Sequence, residues 1–347
     1  MRTRAARAAA VLAAAAVLAG GCAGSGAAPP PSHPVTKPSA PARPSATAAQ
    51  RPTRGLGVLG RFRAGVRWLR LTEPAHAGPT GQRLGPRTLR VQVWYPLSGT
   101  AGRPVAGPLP LIAFGPGFMQ CGRPYSRLLR AWASAGYVVA VVNFPLSDCL
   151  AAAPTESDMV NQPADMSYAI TRLLRLRAAG RGPLRALRLS GHEIAVAGQS
   201  DGGDTVAAVG ASACCTDRRV AAVAVLSGAR WPAFPGGFYP SPPAPMLFTQ
   251  GSADTVNLPG CSIALYHADP GRARYYLDLF GADHTGPYWG TNPFERVVAA
   301  VSVAFFDRYV LGEAAAWPAM QRRGDVPGTA VLYSHGGGHL PPGPCVT

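Results

Sequence analysis

A serine in a glycine-rich turn is the main candidate in this sequence for a nucleophile. The stretch GQSDGG (198–203) matches the pattern G-x-S-x-G around Ser200. With 41 glycines in 347 residues, the pattern alone is not specific. Its context is more specific, because an apolar run (193–198) precedes it and a helical pattern of small residues (204–213) follows it. A strand, a sharp turn and a helix in this order expose a serine hydroxyl at the edge of a sheet.

A serine hydroxyl becomes reactive when a base accepts its proton and an acid orients that base. Asp254 follows the apolar run 245–251, and His284 follows the run 274–281. Both residues come after Ser200, and each lies where a strand-like run ends. The sequence therefore predicts a catalytic triad of Ser200, His284 and Asp254. Other histidines precede a strand, lie in a helix-like stretch or belong to the glycine-rich tail: His192, His267, His335 and His339.

Acyl transfer also needs hydrogen-bond donors for the oxyanion of the tetrahedral intermediate. One donor is normally the backbone N–H of the residue after the nucleophile, which is Asp201 here. The second is expected from the turn after an earlier strand. The turn Gly115-Pro116-Gly117 can direct the backbone N–H of Phe118 toward the same point. The predicted oxyanion hole consists of the Phe118 and Asp201 amides.

The elements that must position these residues alternate between strand-like runs and helical patterns. Short apolar runs that end in glycine or proline are typical of strands covered on both faces. Asn292 and Pro293 provide a cap and a first residue for the last helix. The alternation predicts an α/β domain with a doubly wound, mainly parallel sheet, in which ligands bind beyond the carboxyl ends of the strands. The strand-like runs are 88–96, 110–115, 136–145, 193–198, 221–228, 245–251 and 274–281, and the helical patterns are 124–135, 164–178, 204–213 and 292–312.

With these motifs the chain resembles the α/β-hydrolases. More narrowly, it resembles the branch that holds platelet-activating-factor acetylhydrolase-like, dienelactone-hydrolase-like and cutinase-like polyester-hydrolase enzymes. The motifs VQVWYP, FGPGF, GQSDGG, GSADTV, GADHTG and FFDRYVLG carry the resemblance over residues 85–312. It implies a single catalytic domain that cleaves carboxylic esters through an acyl-enzyme, with no cofactor. Asp201 departs from the family, where methionine or histidine commonly follows the serine.

The loop 229–245 follows the carboxyl end of a predicted strand and is rich in aromatic residues. Trp231 and Phe234, together with Trp289 after the predicted catalytic histidine, could form the wall of an apolar acyl pocket. Alternatively, these aromatic side chains only pack the loop against the domain. The first interpretation predicts a small-molecule or lipid-like ester as substrate.

The N-terminal segment predicts export. A basic start and an apolar run of small residues lead directly to Cys22, a layout typical of a signal peptide (residues 1–22) with a lipobox-like end. Lipidation of Cys22 would make the protein a cell-envelope lipoprotein whose membrane contact is its lipid anchor; the alternative is a secreted protein with an incidental cysteine. Residues 23–54 form a linker rich in proline, alanine and serine. Residues 55–312 form the hydrolase domain, and 313–347 a C-terminal extension.

The net charge of +16 comes almost entirely from arginine. The arginines are scattered and no nucleic-acid motif accompanies them, so we expect no specific nucleic-acid partner. Six cysteines besides Cys22 in an exported chain predict disulfides, although their pairing stays open. Cysteine and histidine spacings do not suggest a metal site.

Two other functions compete with a monomeric ester hydrolase. The first is a non-catalytic lipoprotein that uses the fold to bind a ligand. The carboxylate of Asp201 beside the predicted nucleophile and the long linker are the features that suggest it. The second is a surface protein that binds polyanions through its positive charge.

Overall fold

The computed structural model describes residues 59–99, 102–179, 184, 186–335 and 340–345. The predicted signal peptide 1–22, with its lipidation site Cys22, and the predicted linker 23–54 lie outside the described residues. In the part of the chain that the structure describes, every helix is too short or too polar to cross a membrane.

The described chain contains twelve strands, most of them short and buried. They are β1 (Arg63–Glu73), β2 (His76–Ala77), β3 (Arg83–Leu84), β4 (Arg87–Ser98), β5 (Arg103–Pro104), β6 (Pro108–Gly115), β7 (Val138–Asn143), β8 (Arg188–Gln199), β9 (Ala222–Leu226), β10 (Met246–Gly251), β11 (Arg274–Leu279) and β12 (Ala330–Ser334).

Six α-helices and one 3₁₀ helix connect the strands within the described residues. The helices are α1 (Ser126–Ser134), the 3₁₀ helix Glu156–Asn161, α2 (Gln162–Ala179), α3 (Asp201–Ala211), α4 (Pro259–Ala268), α5 (Pro293–Tyr309) and α6 (Ala316–Gly324).

One large sheet organises the fold. Its strand order is β1-β4-β7-β6-β8-β9-β10-β11-β12, with β5 paired to β4 at one end. Neighbours from β7 to β11 along this order are parallel, whereas β1, β4 and β12 pair antiparallel at the two sides. The prediction of a doubly wound, mainly parallel α/β sheet is confirmed. The helix α6 and the strand β12 come from residues 313–347, so this segment adds an edge strand to the sheet.

Side chains of the central strands alternate between two cores, one on each face of the sheet. In β6, Leu111 and Ala113 face the core that α2, α3 and α4 cover, and Ile112 and Phe114 face the core under α1, α5 and α6. Strands buried on both faces need apolar residues at every position, which explains the continuous apolar runs in the sequence. Because both faces are covered by helices, the edge at the carboxyl ends of the strands is left for the site.

Candidate active site

Ser200 lies at the sharp turn between β8 and α3. β8 ends at Gln199 and α3 begins at Asp201, so a single residue makes the turn. The backbone of Ser200 has φ 55° and ψ −125°, a conformation that residues with a Cβ rarely adopt. Its N–H donates to the Leu226 carbonyl at 3.0 Å, which fixes the turn against β9. A strained nucleophile turn of this kind holds the hydroxyl at the carboxyl edge of the sheet.

Two glycines of the motif allow the backbone to pass closely around the serine. A Cβ added to Gly202 would lie 2.0 Å from the carbonyl oxygen of Gly115, and a Cβ added to Gly198 would lie 2.0 Å from the carbonyl oxygen of Gly202. Both contacts involve backbone atoms, which cannot rotate away. The turn therefore requires glycine at both positions for steric reasons.

Gly202→Ala is expected to destabilise the protein by about 1–3 kcal/mol, because the new methyl group forces α3 away from β6. Gly191→Ala is the matched control: Gly191 lies in the same strand β8, and a Cβ added there would have no atom within 4 Å. Urea unfolding of the two variants measures the difference in free energy of unfolding. Equal stability of the two variants would show that the turn is not tightly packed.

The three predicted triad residues form a chain in which His284 lies within hydrogen-bonding distance of both Ser200 and Asp254. His284 Nε2 is 2.9 Å from Ser200 Oγ, and His284 Nδ1 is 2.8 Å from Asp254 Oδ2. Asp254 follows β10 and His284 follows β11, so the parallel sheet brings both to the edge where Ser200 lies. The imidazole is thus placed between the hydroxyl and the carboxylate, the arrangement a general base requires.

Hydrogen bonds to both carboxylate oxygens hold Asp254 in place. Its Oδ2 also accepts a bond from Gln250 Nε2 at 2.7 Å. Its Oδ1 accepts bonds from the backbone N–H groups of Val256 at 2.9 Å and Asn257 at 3.0 Å. The side chain is buried. With these donors in place, Oδ2 faces the imidazole and accepts a hydrogen bond from its Nδ1–H. Because Nδ1 then carries the ring proton, Nε2 can accept the proton of Ser200.

Gln199, the residue before Ser200, is a residue of the candidate site that the sequence analysis missed. Its Nε2 donates to the backbone carbonyl of His284 at 3.1 Å and lies 3.2 Å from the ring Nε2 of His284. Its Oε1 accepts a bond from the Tyr125 hydroxyl at 2.7 Å, and that hydroxyl accepts a bond from the Gly117 N–H at 3.1 Å. One amide side chain therefore links the histidine loop to the predicted oxyanion turn. The only signal in the sequence for this role is the position of Gln199 next to Ser200 in the motif.

Gln199→Leu is expected to lower kcat for an ester substrate about tenfold with a smaller change in KM, because both loops lose the group that aligns them. Gln321→Leu, on the exposed surface of α6, serves as the control and should keep its activity. Steady-state kinetics with p-nitrophenyl butyrate gives both constants. An unchanged kcat in Gln199→Leu would mean that Gln199 does not position the histidine.

Phe118 and Asp201, the predicted oxyanion-hole residues, both line the cavity that contains Ser200. Phe118 lies in the turn that follows β6. The next residue, Met119, has φ 56° and donates its N–H to the Ser147 carbonyl at 2.7 Å, which fixes the far side of the turn.

The cavity has a volume of about 440 Å³ and opens beside Ser200 and His284. Trp231 and Trp289, two of the three predicted substrate-binding residues, line it. Phe234 does not. It is buried under the loop against Met159 and Ala208 and stacks edge-on against Phe238. For Phe234 the structure therefore fits the alternative in which the aromatic residue packs the loop down.

Disulfides are present, as the sequence predicts. The Cys121–Cys149 disulfide joins the predicted oxyanion turn to the segment after β7, and the Cys261–Cys345 disulfide joins the start of α4 to the C-terminal segment. Cys214 and Cys215 are bonded to each other just after α3. Two of the three cross-links therefore hold segments next to the cavity, since Cys261 itself lines it.

The mainly parallel sheet and the strand-turn-helix around Ser200 form a fold of the α/β-hydrolase type. A ferulic acid esterase from Streptomyces cinnamoneus has a similar structure, with a TM-score of 0.54 and 22% sequence identity. The match covers 73% of this chain and 92% of the esterase chain. At this identity the likeness shows the fold alone. No family model matches the chain, and no curated protein matches it.

Proposed function

We propose that the protein is an exported serine hydrolase that cleaves carboxylic esters. The observation that carries the proposal is the hydrogen-bonded chain from Ser200 Oγ through the His284 imidazole to Asp254. The structural neighbour is an esterase by name, which agrees with this class of reaction. The finer assignment, to the branch with acetylhydrolase-like and cutinase-like enzymes, is supported by the sequence motifs.

In the first half of the reaction, His284 Nε2 accepts the proton of Ser200 as Oγ attacks the ester carbonyl carbon. The carbonyl oxygen takes up the negative charge and accepts hydrogen bonds from the Phe118 and Asp201 amides. The positive end of the α3 dipole lies next to this oxygen and favours the charge. The intermediate then collapses, the bond to the alcohol oxygen breaks, and His284 gives its proton to the departing alcohol.

In the second half, water replaces the alcohol. His284 accepts a proton from the water as its oxygen attacks the acyl carbon of the acyl-enzyme. The bond to Ser200 Oγ breaks and the proton returns to the serine. Asp254 orients the imidazole and stabilises the imidazolium in both halves. The reaction requires no cofactor, and a small-molecule or lipid-like ester fits the volume of the cavity.

The protein acts outside the cytoplasm under this proposal. The three disulfides support an oxidising compartment, and the signal-like N-terminus supplies the route. Lipidation at Cys22 would hold a monomeric domain at the cell envelope, and the linker would separate this domain from the membrane.

The proposal is tested with the purified protein, p-nitrophenyl acetate and p-nitrophenyl butyrate. Release of p-nitrophenol together with labelling of Ser200 by a fluorophosphonate probe is the expected result. A protein that neither hydrolyses the esters nor reacts with the probe would instead be the non-catalytic ligand-binding form of this fold.

A further inference from the structure

Three carboxyl groups lie on one side of the candidate active-site cavity. Glu156 is exposed at the rim, and Asp201 and Asp204 are buried near the start of α3. Asp204 accepts a hydrogen bond from the backbone N–H of Ala229. The ester hydrolysis derived above uses only the backbone of Asp201, so it gives these carboxyl groups no task.

Asp201 has a buried oxygen that lacks a partner. The residue is 8% exposed, and among the described residues none donates a hydrogen bond to its Oδ2. A buried carboxylate oxygen without a donor is unfavourable, and native structures rarely keep one unless a ligand or water completes it. Asp201 lines the cavity next to Ser200, so a carboxyl group without a donor from the described protein lies at the wall where a substrate binds.

The electrostatics of this side of the cavity favour a positive group. Burial, and then the charge of Glu156, raise the pKa of Asp201 to about 7. Burial also raises the pKa of Asp204 well above its ordinary value, and the charges of Asp201 and Glu156 add to the shift. A cation bound among these groups would favour their ionised forms and relieve the repulsion between them.

Aromatic side chains also line the cavity. Trp231 and Trp289 line it with Phe118, and aromatic faces attract organic cations as well as apolar groups. Arg230 is the one arginine among the described residues that line the cavity, and it is exposed. The lining thus carries three carboxyl groups and a single guanidinium, in a protein whose net charge is +16.

We propose that the preferred substrate is an ester that carries a protonated amine, and that the ammonium group donates a hydrogen bond to the Asp201 carboxylate beside Ser200. Glu156 faces the same charge from the rim. The proposal rests on the proposed ester hydrolase activity and names its substrate class. A primary or secondary ammonium is favoured over a quaternary one, because only the former has an N–H to donate.

The test compares esters that differ in one terminal group. On the acyl side these are p-nitrophenyl esters of 6-aminohexanoate, 6-hydroxyhexanoate and heptanoate; on the alcohol side they are butyrate esters of 6-aminohexanol, 1,6-hexanediol and heptanol. The rate with Ser200→Ala protein is subtracted as background. In at least one series, kcat/KM for the amine is expected to exceed that for the methyl analogue about tenfold, which corresponds to about 1.4 kcal/mol.

Variants connect the preference to the carboxyl groups. In Asp201→Asn, the ratio of kcat/KM for the amine to that for the methyl analogue is expected to fall below about threefold. Glu156→Gln should lower it by a smaller factor, because Glu156 is exposed and its charge is screened by solvent. Asp278→Asn removes a carboxyl group on β11 that does not line the cavity, and should leave the ratio unchanged.

The ratio should also rise between about pH 6 and pH 8, because the Asp201 carboxyl ionises across this range in the empty cavity. Both substrates react through the same Ser200 and His284, so effects on the chemical steps cancel in the ratio. The charged and titratable groups around Asp201 are Glu156, Asp204, Tyr125, Arg230 and His284.

The outcomes distinguish a failure of the ammonium inference from a failure of the proposed ester hydrolase activity. If all neutral esters are hydrolysed in a Ser200-dependent manner but neither series prefers the amine, the ester hydrolase stands and the ammonium inference is wrong. A preference for the hydroxyl esters over both other groups would also overturn it, in favour of a neutral hydrogen-bond donor. Loss of turnover for every ester, in both series, would overturn both proposals together.

Discussion

Ser200→Ala is expected to lower kcat for p-nitrophenyl butyrate by about ten-thousandfold or more, because the acyl-enzyme can no longer form. Removing the hydroxyl leaves the oxyanion donors and the cavity in place, so a small residual rate above that of the solution is expected. The hydrolysis rate at saturating substrate measures the effect.

Ser190→Ala is the control for this substitution. Ser190 lies in the same strand β8, where its hydroxyl accepts a bond from the His192 N–H at 3.4 Å, away from the cavity. It should keep full activity, and circular dichroism should show that both variants are folded. If Ser200→Ala retains activity close to that of the unmodified protein, another group performs the reaction.

Asp254→Asn is expected to lower kcat about a thousandfold to ten-thousandfold at neutral pH. The backbone N–H groups of Val256 and Asn257 require an oxygen at one position of the side chain, so the new amide N–H₂ would face His284 Nδ1. The imidazole would then accept at Nδ1 and carry its proton on Nε2. In that tautomer Nε2 cannot accept the proton of Ser200.

Asp283→Asn separates this effect from a general loss of charge near the histidine. Asp283 is adjacent to His284, but its Oδ1 accepts bonds from the backbone N–H groups of Thr285 and Gly286, at 3.0 and 2.6 Å. An asparagine can accept the same bonds, so the variant should keep most of its activity. Equal losses of kcat in Asp254→Asn and Asp283→Asn would contradict the assignment of Asp254 as the orienting acid.

The positions of the triad residues could be predicted from the sequence because they depend on a simple rule. Parallel strands end at the same edge of a sheet, so Asp254 and His284, each following an apolar run, are expected beside Ser200. The cap at Asn292 follows from local chemistry: its Oδ1 accepts a bond from the Glu295 N–H at 2.8 Å, and Pro293 is the first helical residue. Rules that act locally or through strand order can be read from one chain.

Other features depend on contacts that no local pattern records. The task of Gln199 comes from Tyr125, which lies 74 residues earlier, and from the loop of His284. The side chain of Phe234 sits in an irregular loop, where no periodicity says which side faces the cavity. The strand β1 was missed because it is an exposed edge strand with polar residues on much of its surface.

The pairing of the cysteines could not be predicted from the sequence for a related reason. Cys261 and Cys345 are 84 residues apart in the sequence. They come together only in the folded structure, where β12 joins the edge of the sheet before the chain reaches Cys345. The sequence analysis assigned residues 313–347 only to a C-terminal extension, yet β12 within this segment pairs with β11 along its whole length.

Mass spectrometry of the acyl-enzyme is the most direct measurement of what the site does. Protein mixed with excess p-nitrophenyl butyrate is quenched in acid within milliseconds and digested, and the peptides are sequenced in the spectrometer. We expect the mass of one butyryl group on the peptide that contains residue 200, located on the side-chain oxygen. Steady turnover of the ester with the butyryl group on a different side chain, or with none on the protein at any quench time, would contradict the account.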